Sequence, residues 1–137
     1  MSAFVHLRVE RRNNVTVVHL ADSHLLDRVL LHELHDELIS LIEAAQPEQV
    51  LISFGYVQRL GTEAVNTLLA TRKRIGAYGG EMRLCDLHNG IHEIFKVLQL
   101  DGSVFNIHTS TADALRLSTN GNEAAAKSTQ PLAFARD

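Results

Sequence analysis

The four residues Gly61-Thr62-Glu63-Ala64 separate a short apolar run from a stretch of helical period. They put a hydroxyl at a strand-to-helix junction, where α/β proteins often place a working residue. Two chemistries suit Thr62. As an N-cap, its hydroxyl would accept a hydrogen bond from a free backbone N–H of the first turn. Glu63, at the first helical position, would then sit at the positive end of the helix dipole. As a phosphoacceptor, Thr62 would bring about −2 charge to the same free N–H groups, which the fold can tolerate and a docked partner would feel. The two roles are compatible.

Other reactive residues carry less. His32-Glu33-Leu34-His35-Asp36-Glu37 is the densest group in a chain with eight histidines. His32 and His35 share a helix face and could chelate a metal. The pattern is not His-Glu-x-x-His, and no cysteine or third histidine stands at a ligand spacing, so it reads as a solvated acidic face and not a metal site. His6, His19, His24, His88, His92 and His108 form no pattern. Cys85 falls in an alternating stretch and reads as a small core residue, not a nucleophile. Gly79-Gly80 precedes a strand, whereas phosphate cradles precede a helix, and no Gly-x-Ser-x-Gly elbow exists. Neither an enzyme nor a cofactor is expected.

The elements that must position these residues follow from period. Phe4 to Glu10 alternates as a half-buried strand, Arg11-Arg12-Asn13-Asn14 turns, and Val15 to Leu20 returns as the second strand of a hairpin. From Leu25 the period becomes helical through Leu26, Leu30, Leu34, Leu38, Leu41 and Ile42, with Asp27 or Asp22-Ser23 as the cap and Pro47 as the stop. Gln49 to Phe54 is a central strand buried on both faces. A second helix begins at Thr62 or Glu63, with Val65, Leu68, Leu69, Arg72 and Ile75 on one face, and Gly79-Gly80 ends it. Glu81 to Leu87 is a strand. Asn89 caps a third helix that buries Ile91, Ile94, Phe95 and Leu98. Asp101-Gly102 turns into a strand from Val104 to His108, and Thr109-Ser110-Thr111 caps a last helix from Ala112 to Leu117. The order ββαβαβαβα predicts one α/β domain over residues 1–117, a mixed sheet covered by helices with parallel, right-handed crossovers. Residues 118–137 are expected to form a flexible tail.

Composition narrows the function classes. The 137 residues are 45% hydrophobic and 21% charged, with a net charge of −3, and the basic residues are scattered. No basic stripe or aromatic platform for nucleic acid is present. No apolar run approaches the ~20 residues of a membrane span, and MSAFVHLRVERR does not have the form of a signal peptide. A single cysteine excludes an intramolecular disulfide and fits a reducing compartment. A cytoplasmic protein without membrane insertion is expected.

Three stretches, in this order, resemble the STAS domain of bacterial anti-sigma factor antagonists. They are Val57-Gln58-Arg59-Leu60-Gly61-Thr62-Glu63-Ala64-Val65, then Gly79-Gly80-Glu81-Met82-Arg83-Leu84, then Val97-Leu98-Gln99-Leu100-Asp101-Gly102-Ser103-Val104-Phe105. The resemblance spans nearly all of residues 4–117. It implies a non-enzymatic regulatory domain in signal transduction and transcription regulation, whose partner is an anti-sigma factor or related serine/threonine kinase. The family's phosphoacceptor falls on Thr62. Gly61 stands where the family has Asp, Glu63 where it has a second Ser or Thr, and Ala64 where it has Gly. Arg59, Gly61, Glu63, Ala64, Val65, Asn66 and Arg72 are the candidate partner-facing residues. The alternative is a constitutive scaffold subunit of a stressosome-like or transport complex, not phosphorylated. Homo-oligomerisation fits either reading.

Overall fold

A computed structural model describes residues 4–116; Leu117 and the expected tail, 118–137, lie outside them. β1 (Leu7–Arg12) and β2 (Val15–Leu20) pair antiparallel from Leu7↔Leu20 to Arg12↔Val15. Only Asn13 and Asn14 turn the chain, with φ of 53° and 68°, the left-handed geometry that a two-residue hairpin requires. The strand therefore runs through Arg11 and Arg12, and the turn is two residues shorter than the sequence predicts. β1 lies at the sheet edge, and its exposed Arg8, Glu10, Arg11 and Arg12 keep that edge from pairing with another chain.

A two-residue strand, β3 (His24–Leu25), precedes α1 (Arg28–Ala45). Asp27 is the cap, its carboxylate accepting from the Leu30 N–H at 2.9 Å. Leu26 is thus outside the helix and 51% exposed, and Leu31 joins Leu34, Leu38 and Ile42 on the buried face. Gln46 ends α1 in the left-handed conformation just ahead of Pro47. β4 (Gln49–Ser53) follows, then a second two-residue strand, β5 (Arg59–Leu60), and α2 (Thr62–Ala77). α2 closes at Gly79 and Gly80, with Gly80 N–H on Ile75 O at 2.9 Å and Gly79 N–H on Gly76 O at 3.0 Å. Gly79 has φ +88°, the paired-bond ending that needs glycine at the left-handed position.

β6 (Glu81–Cys85), α3 (Asn89–Val97), β7 (Asn106–His108) and a last helix, α4 (111–116), complete the chain. His88, not Asn89, caps α3. Leu98 lies past the helix end and is exposed, while Ile91 and Phe95 fill the core. Ser110 caps α4, its hydroxyl accepting from the Asp113 N–H.

The main sheet runs β1-β2-β4-β6-β7, antiparallel only between β1 and β2. Alternation along the strands divides two cores. Val18, Leu20, Val50, Ile52, Met82 and Leu84 pack under the helices on one face. Val15, Val17, Leu51 and Cys85 meet Ala114 and Leu115 of α4 on the other. β4 contributes to both cores, which is why its sequence is a continuous apolar run. The mixed sheet with covering helices is the predicted architecture, with β3 and β5 added.

Candidate functional site

The segment between β4 and α2 is held by backbone bonds. Phe54 and Val57 turn inward, both 1% exposed, and leave Gly55 and Tyr56 outside. The N–H groups of Gln58 and Arg59 both reach Ser23 O, at 2.7 and 3.1 Å. Arg59 and Leu60 then pair in parallel with His24 and Leu25, and Gly61 N–H donates to Leu25 O at 3.2 Å. The start of α2 is therefore fixed against the segment that leads into α1.

Gly61 is the N-cap of α2, with φ −103° and ψ 173°, and no side chain caps the helix. This corrects the expectation for Thr62. It is the first helical residue, not the cap, and Glu63 is the second. Gly61 O accepts from the N–H groups of Ala64 and Val65, and among the described residues those of Thr62 and Glu63 are left as the free donors of the first turn. Thr62 is exposed, and among the described residues its hydroxyl has no hydrogen-bond partner. The site offers an unengaged hydroxyl beside two free N–H groups at the positive end of a 16-residue helix.

The other candidate residues divide by place. Arg59, Glu63 and Asn66 are exposed near Thr62, and Gly61 is half-buried beside it. Ala64 and Val65 are each 2% exposed. They sit on the inner side of the first turn, packed in the core, and offer a partner no surface. Arg72 does not join the interior face as its spacing suggested; Thr71 does, at 0% exposure, and donates its hydroxyl to Thr67 O. Arg72 is exposed, but it lies ten residues along the helix from Thr62, about 15 Å at 1.5 Å per residue. There it lines a cavity with Lys73, Gly76, Gly80 and Glu81.

Residues from the start of α1 and the segment before it complete the surface. Arg28 Nη2 meets Glu63 Oε2 at 3.3 Å, and Leu26 and Val29, 51% and 65% exposed, flank it. A groove of about 450 Å³ runs between the two helices, lined by Arg28, Leu31, His32, His35, Glu63 and Thr67. His32 pairs with Asp36 at 3.6 Å. Among the described residues no group of three or more histidine, cysteine or acidic side chains could hold a metal ion.

Two further clusters escaped the sequence reading. His6, 6% exposed, places Nδ1 at 2.6 Å from Asp22 and Nε2 at 2.9 Å from Glu33. Burial pulls its pKa down, but the hydrogen bonds and charges of Glu33, Asp22 and Glu37 outweigh it, and the net shift is upward. Asp86, at φ 65°, accepts from Ser53 Oγ at 2.7 Å and Thr111 Oγ1 at 2.8 Å. Burial raises its pKa, yet those bonds with one from Cys85 hold it below the usual carboxylate range. Ser53 and Cys85 are 2% and 0% exposed, and burial pushes the Cys85 thiol up to about 12. The cluster ties α4 to the sheet and presents no accessible nucleophile.

A family model described as the STAS domain matches residues 6–114. Solved structures share the fold. An anti-sigma-factor antagonist (STAS) domain protein from Planctomyces limnophilus is 24% identical with a TM-score of 0.70, over 80% of this chain and 94% of its own. An anti-sigma factor antagonist from Mycobacterium paratuberculosis is 23% identical at 0.69, over 80% and 90%. The Bacillus cell fate determinant SpoIIAA in its phosphorylated form is 15% identical at 0.60, over 80% and 96%. No curated protein matches the chain in sequence. None of the helices among the described residues is long and apolar enough to cross a membrane. With the matched region running from the start of the hairpin into α4, the chain belongs to the STAS domain family.

Proposed function

We propose that this chain is a non-enzymatic partner-switching domain. It binds an anti-sigma factor or related serine/threonine kinase through the surface around Thr62, and phosphorylation of Thr62 releases that partner. The observation that carries the reading is the exposed, unengaged Thr62 hydroxyl at the first position of α2. A phosphate there would meet free N–H groups, so the fold would keep it while the surface charge changed. That structural relatives are anti-sigma factor antagonists, one of them solved phosphorylated, supports a protein partner. Arg59, Glu63 and Asn66, with Leu26, Arg28 and Val29 of the neighbouring segment, form the contact.

A second reading, a constitutive scaffold that is not phosphorylated, is favoured by Glu63. Its carboxylate already stands at the helix start and is paired with Arg28, so negative charge is a fixed feature of this surface. Capture from native lysate with wild type and Thr62→Asp as baits separates the two. Loss of a kinase or anti-sigma protein from Thr62→Asp alone supports the switch, and mapping phosphate to Thr62 completes it. Equal retention of the same partners refutes the switch and leaves the scaffold.

A further inference from the structure

We propose that His88 is the positioning residue that sets the segment from Val57 to Gly61 ahead of Thr62; its functional meaning rests on the recognition reading above. The two ring nitrogens are wired differently. Nδ1 lies 3.1 Å from the Gly90 N–H, which can only donate, so Nδ1 accepts. Nε2 lies 3.0 Å from the Gln58 carbonyl oxygen, which can only accept, so Nε2 carries the proton. The two contacts together require one neutral tautomer. Gln58 is bonded on its other side through its N–H to Ser23 O at 2.7 Å. A chain of hydrogen bonds therefore runs from the start of α3, through Gln58, to the segment before α1. It crosses the main chain four residues before Thr62.

Gly90 makes room for this wiring. A Cβ on Gly90 would lie 3.0 Å from His88 Cε1 and 3.4 Å from Nδ1, so any side chain there makes the ring give by a few tenths of an ångström. The requirement for a small residue at 90 comes from the ring, since Gly90 does not have positive φ. His88 thus does two jobs, capping α3 with one nitrogen and bracing the recognition segment with the other.

The jobs separate by substitution. Asn carries an acceptor near the position of Nδ1 and cannot reach Gln58; Gln carries a donor near the position of Nε2 and lacks the short acceptor. Amide hydrogen exchange by NMR is the readout. His88→Asn should speed exchange at Gln58, Arg59 and Gly61 by about fivefold, the factor that one exposed hydrogen bond carries, and leave the first turn of α3 protected. His88→Gln should do the reverse, and Gly90→Ala should reproduce the faster exchange with the histidine intact. Ring ¹⁵N spectra of the wild type should show His88 as the Nε2–H tautomer. Unchanged exchange at those amides in His88→Asn, a uniform rise across the whole chain, or an Nδ1–H tautomer would each overturn the inference. None of these readouts needs a partner. If His88→Asn frees the segment while Thr62→Asp keeps every partner, the recognition reading alone fails.

Discussion

Raising the pH from 6 to 9 should weaken the fold through His6. The ring bridges Asp22, in the segment after β2, and Glu33, on α1, at 2.6 and 2.9 Å. Glu37, also on α1, accepts the N–H groups of Val5 and His6 at 3.0 and 2.9 Å. Donating from both ring nitrogens to two carboxylates requires the imidazolium, and the upward shift of its pKa agrees. The sign follows from linkage. With the folded value above the unfolded one, the contribution is fully present below about 6.5, and it is lost as pH rises through the folded pKa. For magnitude, a hydrogen bond to a charged group contributes about 1.5–3 kcal/mol. The Glu33 side chain is 59% exposed and is discounted to the few tenths of a surface pair. Asp22, 27% exposed, supplies most of the rest. His6→Gln should therefore cost about 2 kcal/mol at pH 6, moving a urea midpoint by roughly 1 M for a domain of this size. Urea titrations of both proteins at pH 6, 7, 8 and 9 give the difference, which cancels the other histidines. The gap should narrow steadily with pH. A constant or widening gap would refute a charged His6 bridge.

Three further outcomes follow from the site. Thr62→Ala should change stability by less than about 0.5 kcal/mol, because the hydroxyl caps nothing; a loss of 1 kcal/mol or more in urea would restore its capping role. Gly61→Asp should stabilise by a few tenths of a kcal/mol, since Asp is the better N-cap. Its Cβ would meet Leu26 Cδ2 at 3.3 Å, the end of a side chain that is half exposed, and Leu25 O in ordinary contact at 3.9 Å; a net loss in the same titration would show that Leu26 cannot yield. Asp86→Asn should cost about 1–3 kcal/mol, because Ser53 and Thr111 both donate to Oδ2 and an amide oxygen there still accepts but without the charge that strengthens both bonds. The folded carboxyl is depressed, so its contribution is present above the unfolded pKa and lost as pH falls through the folded one; the variant's stability should flatten in acid, and an unaltered acid limb would contradict this.

The long elements were legible because burial imposes a period. α1 showed its Leu34, Leu38 and Ile42 stripe, and β4 its unbroken apolar run. The ends were less so, since a cap depends on which side chain reaches which N–H. Asp27 and Ser110 followed preference. His88 took the place expected of Asn89 because its ring folds back over Gly90. β3 and β5 left no periodic signal, being two residues each. Backbone bonds to Ser23 O and Leu25 O hold the segment around them, and such bonds carry no side-chain signature.

At the site, the departures from the family pattern change meaning once geometry is present. Gly61 looked like a lost carboxylate. It is also the residue whose backbone serves as the N-cap and whose missing side chain leaves Leu26 in place. With the cap position at 61, the hydroxyl at 62 has no structural work and is left to the solvent. Glu63 stands where the family has a second Ser or Thr. In the fold its carboxylate turns toward α1, where Arg28 meets it, and no spacing rule links residues 35 apart. A phosphate on Thr62 would add its charge beside a carboxylate already matched by one guanidinium, so only the N–H groups of the first turn would meet the added charge. The surface would become more negative where Leu26 and Val29 expose apolar area. A partner packed on those side chains would have to desolvate the phosphate to stay, and burying a dianion matched only by two N–H groups is costly.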